Sequence, residues 1–267
     1  MARPRNNMMD KANKEFISEC NERVKSYVGN EIHRTAHEFL RASTLPKYSY
    51  NFRWLDRPII QYPQDIVAVQ EIIWDVKPDL IIETGIAHGG SLIFSASMLA
   101  MLDYADAVEK GETLNPQLSK RKVLGIDIDL RDHNKQALES HSLSHLIQTI
   151  SGSSIEKETI EQVRSISSSY KKILVCLDSN HTHDHVLQEL EAYASLTSVD
   201  SYCIVFDSMI EDLPEELFPD RPWGPGNNPK TATHEWLKQN SDFVVDKKIE
   251  NKLLISVVSD GYLKRIK

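Results

Sequence analysis

Four short stretches hold most of the residues able to do chemistry. The first, Glu83-Thr84-Gly85-Ile86-Ala87-His88-Gly89-Gly90-Ser91, follows the apolar run 80–83. Small residues at 85, 87, 89 and 90 let the backbone turn tightly and let a ligand approach it, and Ser91 suits the cap of a following helix. The second is Asp127, at the end of the run 123–128, where an acid can hydrogen-bond ribose hydroxyls. The third and fourth are Asp178 and Asp207, just past the apolar runs 173–177 and 202–206. Carboxylates at neighbouring strand ends, with no Lys or Arg close by in sequence, invite a hard divalent cation with oxygen ligands. Without one they repel each other. Two helix-capping aspartates would give the same pattern. His181, three residues past Asp178, is within reach to act as a base.

The Gly-rich turn does not name its ligand by itself. A nicotinamide fingerprint sets glycines at fixed spacing with an acid about 20 residues on. Here Ala87 stands in place of the second glycine, and Asp127 lies 42 residues after Gly85 (127 − 85). Residues 103–122 are polar with Gly and Pro, as in a surface insertion of 20 residues, and removing them restores a spacing of 22 (42 − 20). Such an acid serves a nicotinamide or an S-adenosylmethionine site. Two features favour the latter. Glu83-Thr84-Gly85 is an E-x-G turn that resembles motif I of class I methyltransferases, where acid and glycines surround the methionine end of the cofactor. The sheet also ends in an apparent antiparallel pair, 243–245 with 253–258. After the third strand, Ser153 and Ser154 suit either an adenine edge or a plain helix cap.

His181, His183 and His185 look at first like a zinc site. Residues two apart on a helix diverge by about 200°, so they do not share a metal, and no H-E-x-x-H occurs. No His is followed two places later by Asp, as an iron oxygenase's facial triad would require. The stretch 221–230 is rich in Gly and Pro. Its Trp223, Asn227, Asn228 and Lys230 suit a sugar-like or planar polar substrate at the rim of a site, and a rigid connector has the same composition.

These residues need a scaffold that brings strand ends together. Apolar positions recur with a helical period over 10–45, predicting one or two helices ahead of the main body. The aromatic, Pro-bounded stretch 46–62 suggests an ordered loop, and Pro63 opens a helix. From residue 80 on, short apolar runs alternate with helical segments at 89–102, 134–141, 156–168, 184–194 and 231–239. That alternation predicts an α/β doubly wound, mostly parallel sheet, with ligands outside the carboxyl ends of its strands. Two units follow: a helical extension with a substrate-side loop over 1–62, and a cofactor-binding domain over 63–267.

Composition agrees. The chain has 267 residues, 40% apolar, with 31 basic and 39 acidic side chains for a net charge of −8. Mean hydropathy is −0.39. The acidity disfavours nucleic acid or an anionic membrane as the main partner. No apolar run approaches the roughly 20 residues of a membrane span: the run 92–102 is broken by serines, and residues 1–16 lack the apolar core of a secretory signal. Three scattered cysteines make no disulfide framework, and Cys176 and Cys203 fit buried thiols of a cytoplasmic protein. The helical N-terminus is a candidate element for homo-oligomerisation.

IIETGIAHGGSLIFSASML, VLGIDIDLRDHN, LVCLDSNHTHDHVLQELEAYA and RPWGPGNNPKTA together resemble the cephalosporin hydroxylase family, which also holds rhamnosyl O-methyltransferases. The similarity runs in order over residues 60–260. It implies a Rossmann-like class I methyltransferase fold, with a mostly parallel seven-stranded sheet and a final antiparallel strand. It also implies S-adenosylmethionine bound along Glu83, Thr84, Gly85, Ala87, Gly89, Gly90, Ser91, Asp127, Ser153, Ser154 and Asp178. A Mg²⁺ or Mn²⁺ site at Asp178 and Asp207 follows from the same resemblance. Some relatives place an acid just before the second Asp; here that position is Phe206, leaving Ser208, Glu211 or water as third ligand. His181 stands where catechol-type enzymes carry a lysine base. The implied reaction is O-methylation of a sugar (rhamnosyl-like) or natural-product hydroxyl. The alternatives are an iron-dependent small-molecule hydroxylase and a nucleotide-binding module without catalysis.

Overall fold

Strands four to six residues long build the centre of the molecule. The computed structural model describes residues 7–267; residues 1–6, part of the stretch assessed for a signal, lie outside the described residues. Five strands run parallel: β3 (Leu80–Thr84), β4 (Lys122–Asp127), β5 (Ile147–Ser151), β6 (Ile173–Leu177) and β7 (Tyr202–Val205). β1 (Phe52–Trp54) and β2 (Arg57–Ile59) form a separate antiparallel hairpin. β8 (Phe243–Val245) and β9 (Tyr262–Arg265) complete the main sheet, whose order is β5-β4-β3-β6-β7-β9-β8, with β9 antiparallel to both neighbours. The seven strands with one reversed near the end are those the family resemblance implied.

Every residue of β3 and β6 is buried, as expected of parallel strands covered on both faces. The pleat splits their side chains between two cores. Ile81, Val123, Leu174 and Ile204 face one layer, and Leu80, Ile82, Leu124 and Val175 face the other. Cys176 and Cys203 are buried free thiols, as expected.

The helices are α1 (Asn7–Tyr27), α2 (Glu31–Thr44), α3 (Pro63–Val76), α4 (Gly90–Lys110), α5 (Asp132–Glu139), α6 (Lys157–Ser167), α7 (His183–Tyr193), α8 (Pro229–Leu237) and α9 (Lys247–Leu253). The N-terminal pattern resolves into two helices, divided where Asn30 Oδ1 accepts from Ile32 N at 2.9 Å. Ile59 and Tyr62 are buried in the same core as α3 and α4, so the hairpin belongs to the body rather than to an appended extension.

Three expectations are corrected. Residues 103–110 are no insertion: α4 continues through them to Lys110, and only the chain beyond is a surface loop. As a result α4, at 21 residues, is long and apolar enough by length and composition to cross a membrane; here Leu92, Phe94, Ala96, Leu99 and Leu102 are buried in the core. The apolar run 253–258 is not a strand. It follows α9 irregularly, because the Asp65 carboxylate accepts from Ser256 Oγ at 2.5 Å and Val257 N at 3.0 Å and ties this segment to α3. The strand beside β8 is β9, further on.

From β3 the chain winds one way to β4 and β5, then returns to β6 and β7 on the other side. The switch point therefore lies between the carboxyl ends of β3 and β6, where such sheets hold ligands.

Candidate active site

The ends of β3 and β6 touch. Asp178 N donates to Thr84 O at 3.0 Å. Gly85, at φ 86°, turns the chain away so closely that a Cβ there would strike the Asp178 carbonyl. No other residue type fits that approach in that conformation. The loop that follows is held from below and behind. Asp127 Oδ2 accepts from Ile86 N at 2.8 Å and Ala87 N at 3.3 Å, and its Oδ1 accepts from Asp129 N at 2.8 Å. Asn134 Nδ2 donates to Ala87 O at 2.9 Å, and Ala87 stays at φ 45°, rare for a side-chain-bearing residue. The hairpin closes over the far side. Arg57 Nε donates to His88 O at 2.9 Å, its Nη2 donates to Asn134 Oδ1 at 2.8 Å, and Gly90 leaves room for the Pro58 carbonyl.

Two hollows open around this loop and share Gly85, Asp127 and Ser179. The first, roughly 230 Å³, reaches from Ile86, Ala87, His88, Gly90 and Ser91 to Asp178, His181 and Asp207, with Gln61 on its wall. The second, roughly 330 Å³, runs past Ile126 and Ile128 to Ser153, Ser154 and His185. An apolar slot with small polar residues at its end suits a nucleobase, and the polar hollow suits an amino-acid end next to a reaction centre. Glu83, Thr84 and Gly89 do not line either hollow. Glu83 is buried behind the loop, where Ser91 Oγ donates to it and burial lifts its carboxyl to about 7.

At the mouth, Asp178, His181 and Asp207 offer ligand atoms that all lie within 4.8 Å of one another. Asp207 follows β7 in the left-handed region at φ 54°. Its Oδ2 lies 3.0 Å from His181 Nε2. Desolvation, then the Asp207 charge, push Asp178 well above the usual carboxylate range. That is the behaviour of acids brought together for a cation. One imidazole with two carboxylates is an oxygen-rich set, unlike the two-imidazole triad of iron oxygenases. The Trp223 ring meets His181 edge-on with centroids 4.8 Å apart, and Arg221 lies over its face at 5.1 Å.

The other histidines diverge as their spacing requires. His183 Nδ1 bonds Thr231 Oγ1 at 2.8 Å, and His185 Nε2 lies 3.1 Å from both Ser154 Oγ and Ser179 Oγ.

Four expected site residues serve the scaffold instead. Ser208 is fully buried and its Oγ accepts from Ser259 N at 2.7 Å, so it is turned away from the cluster; His181 is the third member. Asn228 is fully buried as the cap of α8, accepting from Lys230 N and Thr231 N. Asn227 ties the loop to α7, accepting from His183 N at 2.9 Å and donating to Pro222 O at 2.8 Å. Lys230 Nζ is held by Asp212 at 2.7 Å and Ser259 Oγ at 3.0 Å. Glu211 is likewise spent on the loop, accepting from Gly226 N at 2.7 Å and from Asn228 Nδ2. The sequence reading missed Gln61 and His185 as lining residues. Gln61 sits in no motif, although the aromatic character of 46–62 hinted at a wall; His185 lies in the stretch 174–194 but was weighed only as a metal ligand.

Comparison with known proteins agrees with this layout. Residues 46–266 match the family described as Rhamnosyl O-methyltransferase/CmcI. A rhamnosyl O-methyltransferase of Mycobacterium tuberculosis (strain ATCC 25618 / H37Rv) is 28% identical over 203 residues, 75% of this chain and 73% of the relative. A CmcI structure with Mg-SAM superposes with a TM-score of 0.53 at 17% identity, covering 82% of this chain and 78% of the other. An apo structure of CmcI gives 0.52 at 18% identity, covering 82% and 77%; both similarities establish the fold. With sheet order, switch-point crevice and family match in agreement, the chain belongs to the Rhamnosyl O-methyltransferase/CmcI family and is a methyltransferase.

Proposed function

We propose that the chain transfers the methyl group of S-adenosylmethionine to a hydroxyl of a rhamnosyl-like sugar, with Mg²⁺ or Mn²⁺ held by Asp178 and Asp207. The observation that carries the reading is the Asp178–His181–Asp207 cluster at the mouth of a hollow continuous with the Gly-rich loop. Its two mutually repelling carboxylates fit a hard divalent ion. Such an ion, when bound, supplies a Lewis acid that makes the acceptor hydroxyl easier to deprotonate. The names of the relatives favour a sugar acceptor.

The chain's own residues do the positioning. The apolar slot and Ser154 receive the nucleoside, with Asp127 beside the ribose at the junction of the hollows. The Asp207 carboxylate stands 3.0 Å from the imidazole of His181, and Trp223, edge-on to the ring, fixes its plane. His181 takes the proton as the acceptor oxygen forms its bond to the methyl carbon and the carbon–sulfur bond breaks, leaving S-adenosylhomocysteine.

The test is incubation with S-adenosylmethionine and a rhamnosyl glycoside, read by mass spectrometry for an added methyl group, with and without chelator. Transfer that stops in EDTA and returns with Mg²⁺ is expected, and Asp178→Asn should be inactive. Undiminished transfer in excess EDTA overturns the metal assignment. Calorimetric affinity for NAD equal to that for S-adenosylhomocysteine overturns the cofactor.

A further inference from the structure

Gln61 lies between β2 and α3, next to the buried Tyr62. It is only 5% exposed, and what remains of its surface lines the hollow between the Gly-rich loop and the acidic cluster. Its Oε1 is sealed from solvent with no hydrogen-bond partner among the described residues. A buried polar atom left unpaired is destabilising, so it needs a reason. The other buried side-chain atoms left unpaired, among them those of Gln64, Thr197, Ser201 and Thr233, belong to residues that do not line this hollow.

The segment is rigidly seated. Pro58 rests against Gly90, Ile59 is buried, and the Tyr62 hydroxyl lies 2.7 Å from Ser43 Oγ. Gln61 is therefore held in place while its terminal carboxamide torsion, broad for this side chain, can still turn. No Lys or Arg lines the hollow, whose ionisable side chains include the carboxyls of Asp127, Asp178 and Asp207 and the imidazoles of His88 and His181. A carboxylate entering here finds no Lys or Arg, and apart from the imidazoles of His88 and His181 it must be met by neutral donors. A carboxamide offers both an N–H to a carboxylate and an oxygen to an ammonium.

We infer that Gln61 binds the α-amino-acid end of S-adenosylmethionine, its amide nitrogen facing the carboxylate and its oxygen the ammonium. The inference rests on the cofactor proposed above, and the test separates the two. Calorimetry compares S-adenosylhomocysteine with 5′-methylthioadenosine, the same nucleoside without the amino-acid end. Wild-type protein should bind both. Gln61→Ala should bind S-adenosylhomocysteine about tenfold more weakly, as for loss of polar contacts to charged groups, and 5′-methylthioadenosine unchanged. Equal loss for both ligands, or no loss for the first, overturns the inference. Wild-type protein that binds neither nucleoside overturns the cofactor assignment instead. Gln61→Met guards against misfolding. It removes an unpaired polar group at similar volume, so the ligand-free variant should melt no lower than wild type while losing the same affinity. A lower melting point with undiminished affinity would make Gln61 a structural residue and overturn its binding role.

Discussion

Glu83 shows what burying one acid behind a binding loop does. It is 4% exposed, its carboxylate accepts from Ser91 Oγ, and burial raises it from 4.5 to about 7. The folded chain therefore holds this proton more tightly than the unfolded chain. The resulting stability is present in full below pH 4.5 and is lost as pH rises through 7. A shift of that size corresponds to about 3 kcal/mol. Asp65, buried against Ser256, Val257 and Tyr262 and raised from 3.8 to about 6, adds a contribution of the same sign at lower pH. Glu83→Gln keeps the acceptor for Ser91 and removes the titration. In metal-free buffer, urea unfolding at pH 5 and pH 8 should show the wild type losing about 2.5 kcal/mol more than this variant over that interval; parallel losses would sink the account. Asp127, Asp178 and Asp207 were legible in the sequence because a strand end fixes where an acid goes. Ser208, Asn228 and Lys230 were misjudged because a polar side chain near a site has two competing uses, ligand and cap. Their partners, Ser259, Glu211 and Asp212, are chosen by tertiary packing rather than by spacing.

At the scale of elements, the hairpin β1–β2 is the piece the sequence concealed. Its strands have three residues each, too few for an alternating pattern. Its turn takes positive φ at Leu55 (43°) and Asp56 (69°), conformations usually announced by Asn-Gly. The β-α units were legible, since uninterrupted apolar runs recur at regular spacing, and the family resemblance supplied the final reversed strand. What the hairpin contributes is a lid on the Gly-rich loop, fastened by Arg57 to the His88 carbonyl and Asn134. Arg57→Ala should lower stability by about 1–3 kcal/mol. It should also speed hydrogen exchange at the amides of Ile86 and Ala87, whose bonds to Asp127 depend on the loop staying closed. Arg57→Lys should restore little, because an ammonium cannot reproduce the fork of contacts. Exchange at those two amides unchanged in Arg57→Ala would show that Asp127 alone holds the loop.

For the whole molecule, the two N-terminal helices contribute unequally. The core includes Ala36 and Leu40 of α2 and nothing from residues 11–27 of α1, whose Phe16 and Ile17 are 62% and 58% exposed. Removing residues 1–29 should shift the melting temperature by no more than about 2 °C. Removing residues 1–62 deletes Leu40, Ile59, Tyr62 and Arg57 together and should abolish cooperative unfolding. Light scattering on the shorter truncation reads at once whether the exposed face of α1 joins two copies. A last consequence concerns α4 and lies in time rather than space. The strand before it, β3, is central, and its partner β6 begins at residue 173, 89 residues after Thr84 (173 − 84). At translation rates of about 5–20 residues per second, roughly 4–18 s separate the two on the ribosome. Throughout that interval a helix apolar enough for a bilayer waits beside a half-built sheet. The nascent chain therefore shows chaperones a greasy segment that the finished protein hides, and slowing synthesis just after residue 110 would lengthen that exposure.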